Sequence, residues 1–308
     1  MRTSKILENE LENTYGLTFT FRNVPEYMRV NLLASYIHQL PVMCSITGLE
    51  PKDISLGGMN VVVENSPVHY YGAYRLEQDD MWLNANHPEV FAHEWFHAAD
   101  YRLGKMLGFD SSVSKEAQKG NMTAVCIFGD EKVYKPLVDR CREYDRKKAD
   151  YTSRIDEVAA RSFERYVAVA AKGRVPMLLD MQAAKEADDP AMLCSAIYPH
   201  RDEIPAMARP AMDLVNCAVR TINDEKQRQE KRETKDLAEL RQMVDDYQHS
   251  DEFVKPFILN RFASKAESIA ISKEKTSRKT MDAIDGMFHE IGADLGSFAR
   301  AGGFDRER

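Results

Sequence analysis

Between Phe91 and Asp100 the chain reads Phe-Ala-His-Glu-Trp-Phe-His-Ala-Ala-Asp, and the pair His93 and His97 constrains the fold more than any other feature. On a helix, side chains four apart project from the same face. Two imidazoles can then close on one divalent metal with Glu94 beside it. The flanks predict that helix. Pro88 suits a first helical position and Glu89 complements the positive helix end. Val90, Phe91, Trp95, Ala98, Ala99 and Leu103 supply the apolar positions, and Gly104 reads as the stop. A metal in such a place lowers the pKa of water, and a carboxylate beside it can take the proton and deliver it to a leaving amine. The bland alternative is two surface histidines on an amphipathic helix.

A catalytic zinc takes three protein ligands and keeps one position open, so a third donor is required. Asp100 is the nearest carboxylate, but it lies seven residues from His93, roughly 10 Å along a helix axis. It is better cast as the acceptor that orients His97, or as the partner of a basic residue. The stronger candidates lie in Ser153–Glu164, where Ser153 with Asp156 reads as a capping box opening a helix that runs to about Gly173. Glu157, Arg161 and Glu164 share one face of it at i, i+4 and i+7, while Ile155, Val158, Ala159, Phe163, Tyr166 and Val167 pack. Glu157 is the first choice for third ligand and Glu164 the second, since spacing alone does not separate them. A surface Glu–Arg–Glu ladder is the alternative for that face.

These two segments together resemble the zincin-like metallopeptidase domain of phage and plasmid polyvalent proteins, related to the peptidase half of conjugative-plasmid antirestriction proteins. Those domains pair His-Glu-x-x-His-Ala-x-Asp with a later Glu-x-x-Ala-Arg-x-Phe-Glu. Here the segments are His93–Asp100 and Glu157–Glu164, and Tyr198-Pro199 is similar to a Tyr-Pro element that follows. The resemblance spans roughly residues 50–220. It implies Zn²⁺ held by His93, His97 and Glu157, Glu94 as general base, and Arg161 as a structural partner of Asp100 or Glu164. It also implies a mobile-element source and a host protein as target. Phe96, where a small residue is common, and His200 after the Tyr-Pro element depart from the pattern. Tyr198 and His200 are candidate donors to a tetrahedral oxyanion.

Hydrophobic residues at 44% and charged residues at 30% fit a globular chain, and 308 residues suffice for one large domain with an appendage. A net charge of −7 argues against a nucleic-acid footprint. No apolar run reaches a membrane span, and residues 1–20, with Glu8, Glu10 and Glu12, lack a signal-peptide core. The cysteines (Cys44, Cys126, Cys141, Cys194 and Cys217) are odd in number and scattered, which points to packed thiols in a reducing cytoplasm.

The expected organisation is α+β. Residues 1–50 form a helical segment packing on the core, with the stripe Tyr27, Val30, Leu32, Leu33, Tyr36 and Ile37 ending near Pro41. Residues 51–220 form the zincin-like catalytic domain. Its small sheet comes from Met59–Val63, His69–Tyr74 and Met81–Asn84, and 72–75 is the candidate substrate-binding edge. His69 and His87 are read as structural or exposed. Gly108–Gly129 reads as a loop-rich rim or lid, and 131–148 as a charged helix. Residues 221–308 form a helical appendage that docks back or recruits a protein partner, with a frayed end from Gly302.

The expectation is a cytoplasmic zinc endopeptidase acting on a protein or peptide substrate, without nucleic-acid or membrane partners. Its source is a mobile element, or it is a bacterial effector delivered into a target cell without a cleavable signal peptide. The alternatives are a non-catalytic interaction protein with a structural or vestigial zinc site, and a zinc hydrolase of small amides.

Overall fold

The computed structural model describes residues 2–67, 71–129, 131–145, 151–271 and 276–291. His69 and the terminal segment from Gly302 lie outside them. The chain divides into two compact units, Met1–Asn223 and Asp224–Arg308, and it is mostly helical with one small sheet.

The first unit opens with α1 (Thr3–Tyr15), β1 (Thr18–Arg22) and α2 (Glu26–Thr47). The strand was not expected. Its Thr-Phe-Thr-Phe alternation is a β pattern set in a segment dominated by helical stripes. Nor does α2 stop at Pro41; it runs on to Thr47, where Gly48 in the left-handed conformation ends it. Strands β2 (Asn60–Glu64), β3 (Gly72–Arg75) and β4 (Asp80–Asn84) complete a sheet of order β1-β2-β4-β3. The β1–β2 and β2–β4 pairings are parallel and β3–β4 is antiparallel, with Val61 opposite Met81 and Ala73 opposite Trp82. Val61, Val62 and Val63 are all buried, so the unbroken β-branched run marks a central strand covered on both faces.

Strand β3 ends the order, so one side of it is open among the described residues. Asn84 N–H donates to the Tyr71 carbonyl at 2.9 Å. Antiparallel ladders alternate, so Tyr71 and Ala73 bond to β4 while Gly72 and Tyr74 turn their backbone groups to the open side.

A 3₁₀ turn at Pro88–Val90 leads into α3 (Phe91–Met106). Gly104 lies inside this helix, not at its end. A Cβ there would meet the Ser111 carbonyl at 2.3 Å, so the returning chain requires glycine at that crossing. The segment expected as a lid is instead helical: α4 (Val113–Gln118) and α5 (Met122–Phe128) bury Val113, Ala117, Ala124 and Phe128 in the core. Then come α6 (Lys135–Asp145), α7 (Ile155–Ala171), α8 (Met181–Glu186) and α9 (Cys194–Ile197). Helix α7 begins after Arg154 without a side-chain cap. The expected capping box is absent because Asp156 is taken by Arg154 and Lys115.

Helices α3 and α7 pack face to face. Trp95 and Phe96 both lie on Phe163, with ring centroids 5.7 and 5.5 Å apart, and Trp95 Nε1 donates to the Ile54 carbonyl at 2.7 Å. This fully buried aromatic cluster is what holds the histidine face against the glutamate face.

Helix α10 (Ile204–His249) contains the boundary between the two units. In the second unit its later part, with α11 (Lys255–Ile271) and α12 (Arg278–Glu290), buries Leu240, Val244, Phe262, Ile284 and Phe288 in a separate core. No helix among the described residues is long and apolar enough to cross a membrane.

Candidate metal centre

His93 and His97 stand one turn apart on α3 and present their Nε2 atoms to each other at 3.2 Å. Glu157, in the first turn of α7, closes the third side. Its Oε2 lies 3.4 Å from His93 Nε2 and its Oε1 3.4 Å from His97 Nε2. These three side chains form a group able to hold a metal ion. Packing two ring nitrogens and a carboxylate this closely in a largely buried place is costly unless a cation or a proton lies between them.

The electrostatics carry the same message. Burial alone would lower the His93 pKa, but the Glu157 and Glu164 carboxylates outweigh it and push it up to about 10. Burial likewise acts to raise Glu157, and the two histidines hold it well below the ordinary carboxylate range. Each partner stabilises the charge of the other, so the trio is poised for positive charge at its centre.

Glu164 sits on the other side of the His93 ring. Its Oε2 is 3.4 Å from His93 Nδ1 and accepts the Tyr198 hydroxyl at 3.0 Å. A proton on Nδ1 donated to Glu164 leaves the Nε2 lone pair free for a metal. The choice between Glu157 and Glu164 is thus made by which ring nitrogen each one faces. Arg161 was expected to pair with Asp100 or Glu164. It pairs instead with Glu157, donating from Nη2 at 3.1 Å, while Nη1 holds the Thr152 carbonyl at 2.8 Å. Glu164, three residues on, is engaged by Tyr198 and His93 instead.

Asp100 does not orient His97. Its carboxylate accepts the Ser114 N–H at 3.0 Å and the Ser114 hydroxyl, so it ties α4 to the end of α3. Burial raises its pKa against those two bonds. His97 Nδ1 is buried without a hydrogen-bond partner among the described residues.

Glu94 is buried beside the trio and its Oε2 accepts the Tyr74 N–H at 3.0 Å, one of the groups β3 turns to its open side. A Cβ on Gly72 would lie 2.7 Å from Glu94 Cγ and 2.8 Å from Val90 Cγ2, so glycine is what lets the strand approach this carboxylate. Burial raises the Glu94 pKa, opposed by the two histidines.

Tyr198 and His200 do not line the cleft. Tyr198 is spent on Glu164, behind His93, and His200 Nε2 lies 3.1 Å from the Ser195 carbonyl within its own turn. His87 stacks on Tyr71 at 3.9 Å and contacts Glu89, apart from the trio. The solvent-open cleft over the centre is lined by Gly72–Tyr74, Glu94, His97, Tyr101, Tyr151, Arg154, Asp156 and Glu157. Of these, Gly72–Tyr74 belong to the strand expected as the substrate-binding edge, while Tyr101, Tyr151 and Arg154 were not foreseen as site residues. Arg154 and Glu157 are three apart at one helix end, which is a usable signal.

Comparison with protein-family models, curated proteins and solved structures returns no match.

Proposed function

We propose that the protein is a zinc-dependent endopeptidase on a zincin-like fold, cutting an extended stretch of another protein. The observation that carries this reading is the His93–His97–Glu157 triangle with Glu94 beside it and the open side of β3 alongside. Donors at ~2.0–2.2 Å from a tetrahedral zinc stand about 3.3 Å apart; the two Nε2 atoms are 3.2 Å apart, and the two oxygens of Glu157 each lie 3.4 Å from one of them. Two imidazoles and one carboxylate are the donor set of a catalytic zinc, whereas structural sites close with four ligands rich in sulfur. The five cysteines take no part.

Bound there, zinc would supply Lewis acidity, lowering the pKa of water and polarising a carbonyl. Everything else falls to the chain itself. Glu94 takes the proton of the attacking water and passes it to the departing nitrogen. Burial brings its proton affinity closer to what both transfers need, and the Tyr74 N–H fixes its position. Glu164 holds the His93 ring in the tautomer that offers Nε2. The outward backbone groups of Gly72 and the outward carbonyl of Tyr74 pair with an extended substrate by strand addition, while the Tyr74 N–H stays with Glu94. An open cleft beside a strand edge suits a polypeptide better than a small amide. A mobile-element source and a host-protein target rest on the motif resemblance alone.

The test is metal content and hydrolysis measured side by side. Purified protein binds one zinc and cleaves a protein or peptide mixture. Glu94→Gln binds the same zinc and loses at least about a hundredfold in rate, the scale of a general base. Full activity in Glu94→Gln, or failure to bind zinc, sinks the reading.

A further inference from the structure

Beside the metal-binding trio the cleft carries a second charged group with a different logic. Two cations converge on one carboxylate oxygen: Arg154 Nη2 lies 2.6 Å and Lys115 Nζ 2.8 Å from Asp156 Oδ2. The signs are sorted by depth. The Asp156 side chain is 0% exposed, while those of Arg154 and Lys115 are 42% and 26% exposed. One buried carboxylate cannot neutralise two cations, so this cluster carries net positive charge, and Arg154 is the cation of the pair that lines the cleft. Glu157 does not cancel it, being committed to His93, His97 and Arg161.

Both cations are also held in place. Arg154 adds a second bond from Nε to Asp156 Oδ1 at 3.2 Å, and its guanidinium lies 5.3 Å from the centre of the Tyr151 ring. Lys115 donates to the Tyr101 hydroxyl at 2.6 Å. A pre-positioned guanidinium loses little freedom when it takes a further carboxylate. Arg154 precedes Glu157 by three residues and lines the same cleft, so the group it meets belongs to a residue within about two positions of the scissile bond at ~3.3 Å of extended chain per residue.

We infer that Arg154, supported by Lys115, selects a peptide carboxylate next to the bond placed over the metal centre. The carboxylate is an Asp or Glu side chain or a free C-terminus. This rests on the peptide-hydrolysing reading of the centre, but binding tests it independently of cleavage.

The probes are pools of N-acetylated, C-amidated peptides, randomised except for one residue fixed as Glu, Gln or Lys. They are titrated against zinc-loaded Glu94→Gln protein by calorimetry. The Glu pool should bind about tenfold tighter than the Gln pool, as expected for one charge-assisted hydrogen bond, with the Lys pool weakest. Arg154→Gln, which leaves Lys115 to neutralise Asp156, should erase the Glu advantage, and Arg154→Lys should restore part of it. A Gln pool with a free C-terminus separates the two sources of carboxylate. Equal binding of Glu, Gln and free-C-terminus pools, or an acidic preference that survives in Arg154→Gln, overturns the inference. If acidic pools bind selectively and wild-type protein cuts none of them, the inference stands and the peptidase reading falls.

Discussion

His93 is the residue on which a proton and a metal compete. Its pKa near 10 means that Nε2 is protonated at neutral pH when no metal is present. Metal entry must displace that proton, so apparent zinc affinity should climb about tenfold per pH unit between roughly pH 6 and 8. A flat profile in a metal titration contradicts the charge assignment. The metal-free protein should behave in the opposite sense. A histidine whose folded pKa lies above its unfolded value of 6.5 contributes stability that is complete below that value. Denaturation midpoints of metal-free protein should therefore fall as pH rises from about 6.5 towards 10. Glu164→Gln removes the carboxylate behind Nδ1 and should weaken zinc binding about 10–100-fold with the fold intact. An unchanged zinc affinity would mean that Glu164 serves only Tyr198.

At the scale of elements, the centre exists because α3 and α7 are locked together and because β3 comes close to α3. Phe163 supports both Trp95 and Phe96. Phe163→Ala should cost ~3–5 kcal/mol in chemical denaturation and loosen zinc in parallel, since the ligands come from the two helices it joins. Gly72→Ala is the sharper probe. Its Cβ would push against Glu94 rather than against the ligands. The expected result is a fall in kcat on the order of a hundredfold, the cost of a misplaced catalytic group, with zinc content unchanged. Retained kcat would show that strand and carboxylate can part without loss.

For the molecule as a whole, every residue of the centre lies in the first unit, Met1–Asn223. Removing the chain beyond that boundary should leave zinc stoichiometry unaltered; its loss would tie the centre to the second unit. How much of this was legible in the sequence followed from how local each signal is. Two histidines four apart are a statement about a single helix, and their face could be read directly. Glu157 and Glu164 share a face of α7, so spacing kept both as candidates until packing showed which nitrogen of His93 each one meets. Asp100 and Arg161 were placed near the centre correctly but with the wrong partners, because Ser114 and Glu157 claim them. Strand β1 carries a local β alternation that the surrounding helical stripes masked, and its parallel pairing depends on contact with a distant segment. Tyr198 drew attention through motif similarity and His200 by following it, yet the fold puts Tyr198 on Glu164, behind His93, and His200 on the Ser195 carbonyl. At the cleft wall Tyr151 had no motif to announce it, and Arg154 had only its spacing from Glu157.

The proposed activity requires that the centre cut polypeptide. The most direct measurement compares new protein N-termini in cells producing the wild-type chain with those in cells producing Glu94→Gln at equal abundance and equal zinc content. A small set of internal cleavage sites should be present only with the wild type, because Glu94 moves the protons and does not hold the metal. Identical sets of N-termini in the two cell populations would contradict that activity.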